Sequence, residues 1–264
     1  MTIRQSAVAG MFYPDNPREI RAFLDHHMAA ATAPVDACAV VVPHAGWIYS
    51  GQLAAQVLAR VRVPDTVVII GPNHTGLGSA ISIFPPGLWR TPVGDIPVSP
   101  HARTLAARLG LTCDTAAHQR EHSLEVLLPM LHYRNPSLQI IAITVAGGSP
   151  EDARELAHTL EAEFQGEDVL LLASSDMNHF ESQAVSDRKN ALAMERIAAL
   201  DSPGLLEVVN RHRISMCGAF PVAVALENAL LRGASHASLV GYTDSAAVSG
   251  DHDSVVGYAG YILA

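Results

Sequence analysis

Short apolar runs alternate along this chain with longer stretches of helical periodicity. Residues 37–42 (Ala-Cys-Ala-Val-Val-Val) are continuous, largely β-branched and uncharged, as in a strand buried on both faces. Residues 66–70, 138–145 and 169–173 have the same character, and 238–242 and 255–263 close the chain as further strands. Between them the spacing predicts helices over 52–61, 100–109 (proline near its start), 123–133 and 150–164, the last with acidic residues in its first turn. Three more are predicted over 187–200, 203–211 and 218–231. Residues 75–99 are rich in Gly and Pro, with short strand-like pieces such as 80–84, and the N-terminal residues lead into a Gly- and Pro-containing loop. Strands separated by helices predict an α/β fold. We expect a single domain over 1–264, its central sheet mostly parallel or mixed and covered by helices on both faces.

Composition narrows the function classes. The chain has 264 residues, 49% hydrophobic and 16% charged, which suits an ordinary core. A net charge of −9 without a basic block argues against a nucleic-acid partner. The N-terminus lacks the apolar centre of a signal peptide. No apolar run approaches the roughly 18 residues of a membrane helix. Cys38, Cys113 and Cys217 are odd in number and far apart, which speaks against a disulfide framework or a Cys-rich zinc site. A cytoplasmic location is expected.

Polar residues concentrate where the strands end. Residues 37–42 run into Pro43-His44-Ala45-Gly46, residues 66–70 into Gly71-Pro72-Asn73-His74, and residues 169–173 into Ser174-Ser175-Asp176-Met177-Asn178-His179. Open α/β sheets bind ligands at that edge, so these exits point to one site. His44 and His74, each beside Pro and Gly, are candidate metal ligands, since neutral imidazole is the commonest such ligand. Asp176 reads either as a helix cap or as a group that orients an imidazole or acts as general base. The acidic residues of Glu121-His122-Ser123-Leu124-Glu125 suit a helix start, and His122 fits a proton donor or substrate-binding group. Cys217 precedes a predicted helix, a position that favours thiolate, although its spacing alone suits a buried, inert cysteine. Trp47, Tyr49 and Phe180 are either core residues or an aromatic rim. The Gly-rich stretch from Gly71 lacks the Gly-Lys-Ser/Thr of a phosphate loop, and neither a His-Glu-x-x-His helix nor a Gly-x-Ser-x-Gly elbow occurs.

Taken in order, these fragments resemble the Memo family, labelled in bacteria and archaea AmmeMemoRadiSam system protein B. The match includes Ala7-Val8-Ala9-Gly10-Met11-Phe12-Tyr13-Pro14, Pro43-His44-Ala45-Gly46 with Tyr49-Ser50-Gly51, and Gly71-Pro72-Asn73-His74. It continues through Glu121 to Glu125, Ser175-Asp176 to His179, Met216-Cys217-Gly218, Val248-Ser249-Gly250-Asp251 and Val255-Val256-Gly257-Tyr258. The resemblance implies a fold similar to that of LigB-type class III extradiol dioxygenases, which hold non-haem Fe(II) with two His and a carboxylate. In the Memo family the corresponding set is two His and a Cys. It implies metal ligation by His44, His74 and Cys217, with His122, Asp176 and His179 as catalytic residues of the same pocket. Fe(II) is the expected metal, with Cu or Zn next, because thiolate is a softer donor than carboxylate. The expected function is a redox, dioxygenase-like one on a small organic molecule or peptide. The alternative is a peptide- or protein-binding module in a radical-SAM-associated modification system, with radical-SAM and AMMECR-type partners.

Overall fold

The structure is a computed structural model that describes residues 2–28 and 33–264. The first half carries strands β1 (Thr2–Arg4), β2 (Ala39–Val42), β3 (Thr66–Pro72), β4 (Ile81–Ile83), β5 (Gly87–Thr91) and β6 (Gly94–Val98). The second half carries β7 (Gln139–Val145), β8 (Val169–Ser174), β9 (His179–Glu181), β10 (Ala237–Asp244) and β11 (Val255–Leu263). The helices are α1 (Pro17–His27), α2 (Gln52–Ala59), α3 (His101–Arg108), α4 (Leu128–Arg134) and α5 (Pro150–Glu163). They continue with α6 (Gln183–Ala198), α7 (Ser202–Arg211), α8 (Ala219–Leu231) and α9 (Ala246–Ser249).

All the strands belong to one mixed sheet of order β1-β5-β6-β7-β3-β8-β2-β11-β10, with β4 and β9 paired at its margins. Its centre is parallel: β7, β3, β8 and β2 run side by side in the same direction. All residues of β2, β3 and β8 are buried, which explains their uninterrupted apolar sequences. Because β8 lies between β3 and β2, the ends of these three strands open onto one edge.

Helices cover both faces. Gly260 of β11 faces Leu53 and Val57 of α2, whereas Gly257 faces Asn190 of α6. Positions of opposite parity on a strand point to opposite faces, so α2 and α6 lie on opposite sides. α1 and α4 pack beside α2, and α7, α8 and α5 continue the layer begun by α6. Local sequence sets the boundaries. Ser149 and Asp152 form a reciprocal capping box ahead of α5, and Asp201 caps α7 through the Gly204 N–H (2.9 Å). Among the described residues, no helix is long and apolar enough to cross a membrane.

Some expected boundaries differ. Residues 123–133 are not one helix: a 3₁₀ turn at Glu125–Leu127 leads into α4. Pro129 lacks an N–H and fits only a first helical turn, so the α-helix begins there. α6 starts four residues before the expected 187. α1 forms where no element was expected, because Ile20 and Leu24, one helical turn apart, suffice to bury one face of an otherwise polar segment. Residues 87–98 form the β5–β6 hairpin, with β1 added in parallel to β5.

Candidate metal centre

β2 delivers His44, β3 delivers His74 and β8 delivers Asp176 to the shared edge. Cys217 comes from a different direction, on the turn before α8. Its neighbour Gly218 lies so close to the end of β8 that a Cβ would stand 2.3 Å from the Ser174 carbonyl oxygen and 2.5 Å from Ser175 Cβ. The Gly218 N–H donates to Ser175 Oγ (3.0 Å), and the Asp176 N–H donates to Cys217 Sγ (3.3 Å). One ligand atom from each of His44, His74 and Cys217 lies within 4.8 Å of the others. His44 is buried, Cys217 half-buried and His74 exposed.

Hydrogen bonds fix which nitrogen each imidazole presents. Ser174 Oγ donates to the Ser123 carbonyl (2.6 Å), so it can only accept from His44 Nδ1 (2.7 Å). The proton therefore sits on Nδ1, and the bare Nε2 faces Cys217 Sγ at 3.3 Å. The ring of His74 is held likewise, with Nδ1 2.9 Å from Glu121 Oε1. Glu121 also accepts from the backbone N–H groups of His74, His122 and Ser123. The His122 ring stacks on His74 (4.6 Å between centroids, 18°), lies 5.5 Å from His44 and is backed by Phe12 at 4.5 Å. His179 sits on β9 with Nδ1 2.7 Å from the Ser215 carbonyl.

Burial governs the charges. Desolvation holds His44 well below the ordinary imidazole range, and the neighbouring His122, His74 and His179 add to the effect. Burial brings His122 down to about 4 and lowers His179 as well, so both rings are neutral at neutral pH. It lifts the Asp176 carboxyl to about 7 against the pull of the His44 and Ala45 N–H groups. Burial first, then the Asp176 carboxylate, pushes the Cys217 thiol far up. Burial works to raise the Glu121 carboxyl too, but the His74 ring and the Ser123 N–H outweigh it and bring it to about 2.

A cavity of about 820 Å³ adjoins the cluster, lined by His74 and Cys217 and walled by the β7–α5 loop, α7 and the start of α8. His44, His122, Asp176 and His179 are not among its lining residues. Trp47 is a core residue, packed on Phe23 and donating to the Val126 carbonyl (2.8 Å), whereas Tyr49 and Phe180 are exposed.

The family model described as Memo-like protein matches residues 4–262. The chain belongs to the Memo family. Similar relatives include MEMO1 family proteins of Methanopyrus kandleri, 39% identical over 98% of both chains, and of Aquifex aeolicus, 35% identical over 100% of both. A MEMO1 family protein of Thermotoga neapolitana is 38% identical over 99% of both. A crystal structure of an uncharacterized Escherichia coli K12 protein shares the fold, with a TM-score of 0.59 and 14% identity, covering 86% of this chain and 99% of that one.

The ion implied by the Memo resemblance fits the residues present. Two imidazoles turn bare Nε2 atoms toward one thiol, and each is held at Nδ1 by a hydroxyl or a carboxylate, the usual support of a metal-bound histidine. Two of these supports, Glu121 and Ser174, were missed in the sequence. Glu121 reads as a helix-dipole residue and Ser174 as the first residue of the polar stretch after a strand. The available signal was their adjacency to His122 and to Ser175-Asp176.

Proposed function

We propose that this Memo-family chain is a metal-binding redox protein in which His44, His74 and Cys217 hold one ion. The observation that carries this reading is the convergence of those three donors within 4.8 Å from three separate elements. Two imidazoles and a thiolate form a soft to borderline donor set, which favours iron, copper or zinc over magnesium or calcium. Iron is the first choice and copper the second. A redox-active ion bound there supplies electron transfer and a position for dioxygen, the basis of a dioxygenase-like reaction on a small organic molecule.

The chain's own residues supply positioning and proton handling. Ser174 and Glu121 hold the two imidazoles in one tautomer and orientation. His122, neutral and stacked on His74, takes or gives a proton at its ring nitrogen. His179 offers a second such nitrogen at Nε2, because the Ser215 carbonyl holds Nδ1. Asp176 holds the His44 N–H at 2.8 Å and so fixes the end of β2.

Anaerobic titration of Fe(II) or Cu(II) into the purified protein tests this reading. A thiolate-to-metal absorption band should grow to saturation at about one equivalent and be absent from Cys217→Ser. A titration that gives no band with either metal overturns it.

The exposed side chains of Ile48, just after the loop that carries His44, and of Phe180, next to His179 on β9, favour a second reading. In it the edge binds a peptide or partner protein within a radical-SAM-associated modification system, with an AMMECR-type partner. Capture of such a partner that persists after metal removal supports this reading, and metal-dependent oxygen uptake supports the enzyme.

A further inference from the structure

Three non-glycine residues have left-handed backbone: Phe180, Leu200 and Arg213, at φ 59°, 54° and 49°. Leu200 and Arg213 each follow a helix, where glycine is the usual occupant because it carries no Cβ. Glycine does stand at the corresponding places after α3 and α8, as Gly110 and Gly233 with φ 67° and 87°. Leu200 is only 8% exposed, so packing compensates its conformation. Arg213 is exposed and gains no such packing.

The turn at Arg213 is nevertheless firmly held. The Ile214 N–H reaches the Val209 carbonyl (2.9 Å) and the Arg213 N–H the Asn210 carbonyl (3.2 Å), closing α7 in a Schellman turn. The Arg213 carbonyl accepts from Lys189 Nζ (3.0 Å), and Lys189 pairs with Glu181 at 2.6 Å. None of these bonds uses the arginine side chain. Among the described residues its guanidinium has no ion pair and no hydrogen bond.

Arg213 lines the 820 Å³ cavity, whose other lining residues include His74 and Cys217. A volume of this order suits a small molecule. The walls between are largely apolar, with Val145, Leu206, Val209, Ile214, Met216 and Phe220, and Asn210 is the polar residue one turn before Arg213. Arg213 is the one Lys or Arg among the lining residues. Glu207 lines the same cavity, but its carboxylate lies 3.5 Å from Arg211 on the next helical turn. Asn73 is spent within its own loop, bonded to the Leu77 carbonyl and to the N–H groups of Thr75 and Gly76.

We propose that Arg213 is a specificity residue and that the cavity takes a small organic carboxylate. The carboxylate pairs with the Arg213 guanidinium, the apolar body lies along the walls, and the far end of the ligand points to His74 and Cys217. One fork-shaped guanidinium matches one carboxylate in two parallel hydrogen bonds. A phosphate dianion would keep an unmatched charge beside Glu207. A left-handed arginine where glycine would serve the fold better is explained by this use. The proposal rests on the metal-site reading only for which end of the ligand reacts.

The test uses calorimetry on the full chain, with hexanoate and 3-phenylpropanoate as probes, their primary amides as neutral counterparts, and 3-phenylpropyl phosphate as the competing anion. Metal content is measured on the same samples. Arg213 predicts that at least one carboxylate binds about tenfold or more tighter than its amide. Arg213→Gln abolishes that preference without changing metal content, and Arg213→Gly raises the melting temperature because the backbone strain is relieved. Equal binding of acid and amide, no binding by either carboxylate, tighter binding of the phosphate, or a lower melting temperature in Arg213→Gly overturns the proposal. A metal-free protein that still shows the Arg213-dependent preference leaves the proposal standing and removes the metal reading instead.

Discussion

His44 Nε2 and Cys217 Sγ stand 3.3 Å apart, although 173 residues separate them in the chain. The contact depends on Gly218, which lets the segment before α8 lie against the end of β8. Its backbone is not left-handed, so space alone demands glycine there. Gly218→Ala would push a methyl group into the Ser174 carbonyl and the Ser175 side chain. A loss of about 1–3 kcal/mol in chemical denaturation is expected, the usual cost of overpacking. The variant should also lose most of its metal, because Cys217 moves with the turn.

Glu121 acts on the ligands at one remove. Its carboxylate accepts the His74 ring N–H and three backbone N–H groups. In Glu121→Gln one oxygen becomes an amide donor that faces other donors. Metal affinity, measured by competition with a chelator, should fall about 10- to 100-fold. An unchanged affinity would show that His74 needs no such support.

The N-terminal segment is tied to the site by a buried ion pair. Arg4 Nη1 lies 2.5 Å from Glu125 Oε2, and the same guanidinium donates to the carbonyls of His118 and Glu121. Glu125 in turn accepts from the N–H groups of Ala7 and Val8 and from Tyr13 Oη. These bonds place Phe12 against His122. Arg4→Ala leaves a buried carboxylate unpaired, which costs about 3–5 kcal/mol. Urea denaturation measures that loss. In the double variant with Glu125→Ala the effects should sum to less than the two single losses, since both remove the same pair.

His118 gives stability a pH dependence of known sign. It is buried, its Nε2 lies 3.2 Å from the Ser82 carbonyl, and its Nδ1 has no hydrogen-bond partner among the described residues. Burial, helped by the Arg4 charge, brings its folded value from 6.5 to about 4. Below pH 6.5 the unfolded chain takes up a proton that the folded chain refuses, so stability falls with pH until about 4. The loss is on the order of 3 kcal/mol. His118→Gln should be less stable than the parent at pH 7.5, and the difference between the two should shrink as the pH drops to 4.5. A difference that stays constant over this range would mean that His118 is not held neutral.

The sequence made the parallel core of the sheet legible, because β2, β3 and β8 are buried on both faces and carry no polar interruption. The same runs marked His44, His74 and Asp176, since each stands just past the point where an apolar run gives way to polar residues. Spacing left Cys217 ambiguous; only the family resemblance joined it to the histidines, and the close approach that seats it appears only when α8 meets β8. Glu121 and Ser174 were marked only by adjacency to the candidate residues, for a related reason. Their roles depend on which imidazole the fold brings to them, and no local pattern records that. The break before α4 was readable from Pro129, whereas α1 hung on two apolar residues in a charged segment.

The most direct test of the central claim is the metal content of protein purified without oxygen, measured beside His44→Ala and Cys217→Ala. About one iron or copper per chain is expected in the parent and close to none in either variant, with circular dichroism unchanged among the three. A ratio that stays the same in both variants, or a well-folded parent that neither carries nor takes up metal, would contradict the assignment of His44, His74 and Cys217 as its ligands.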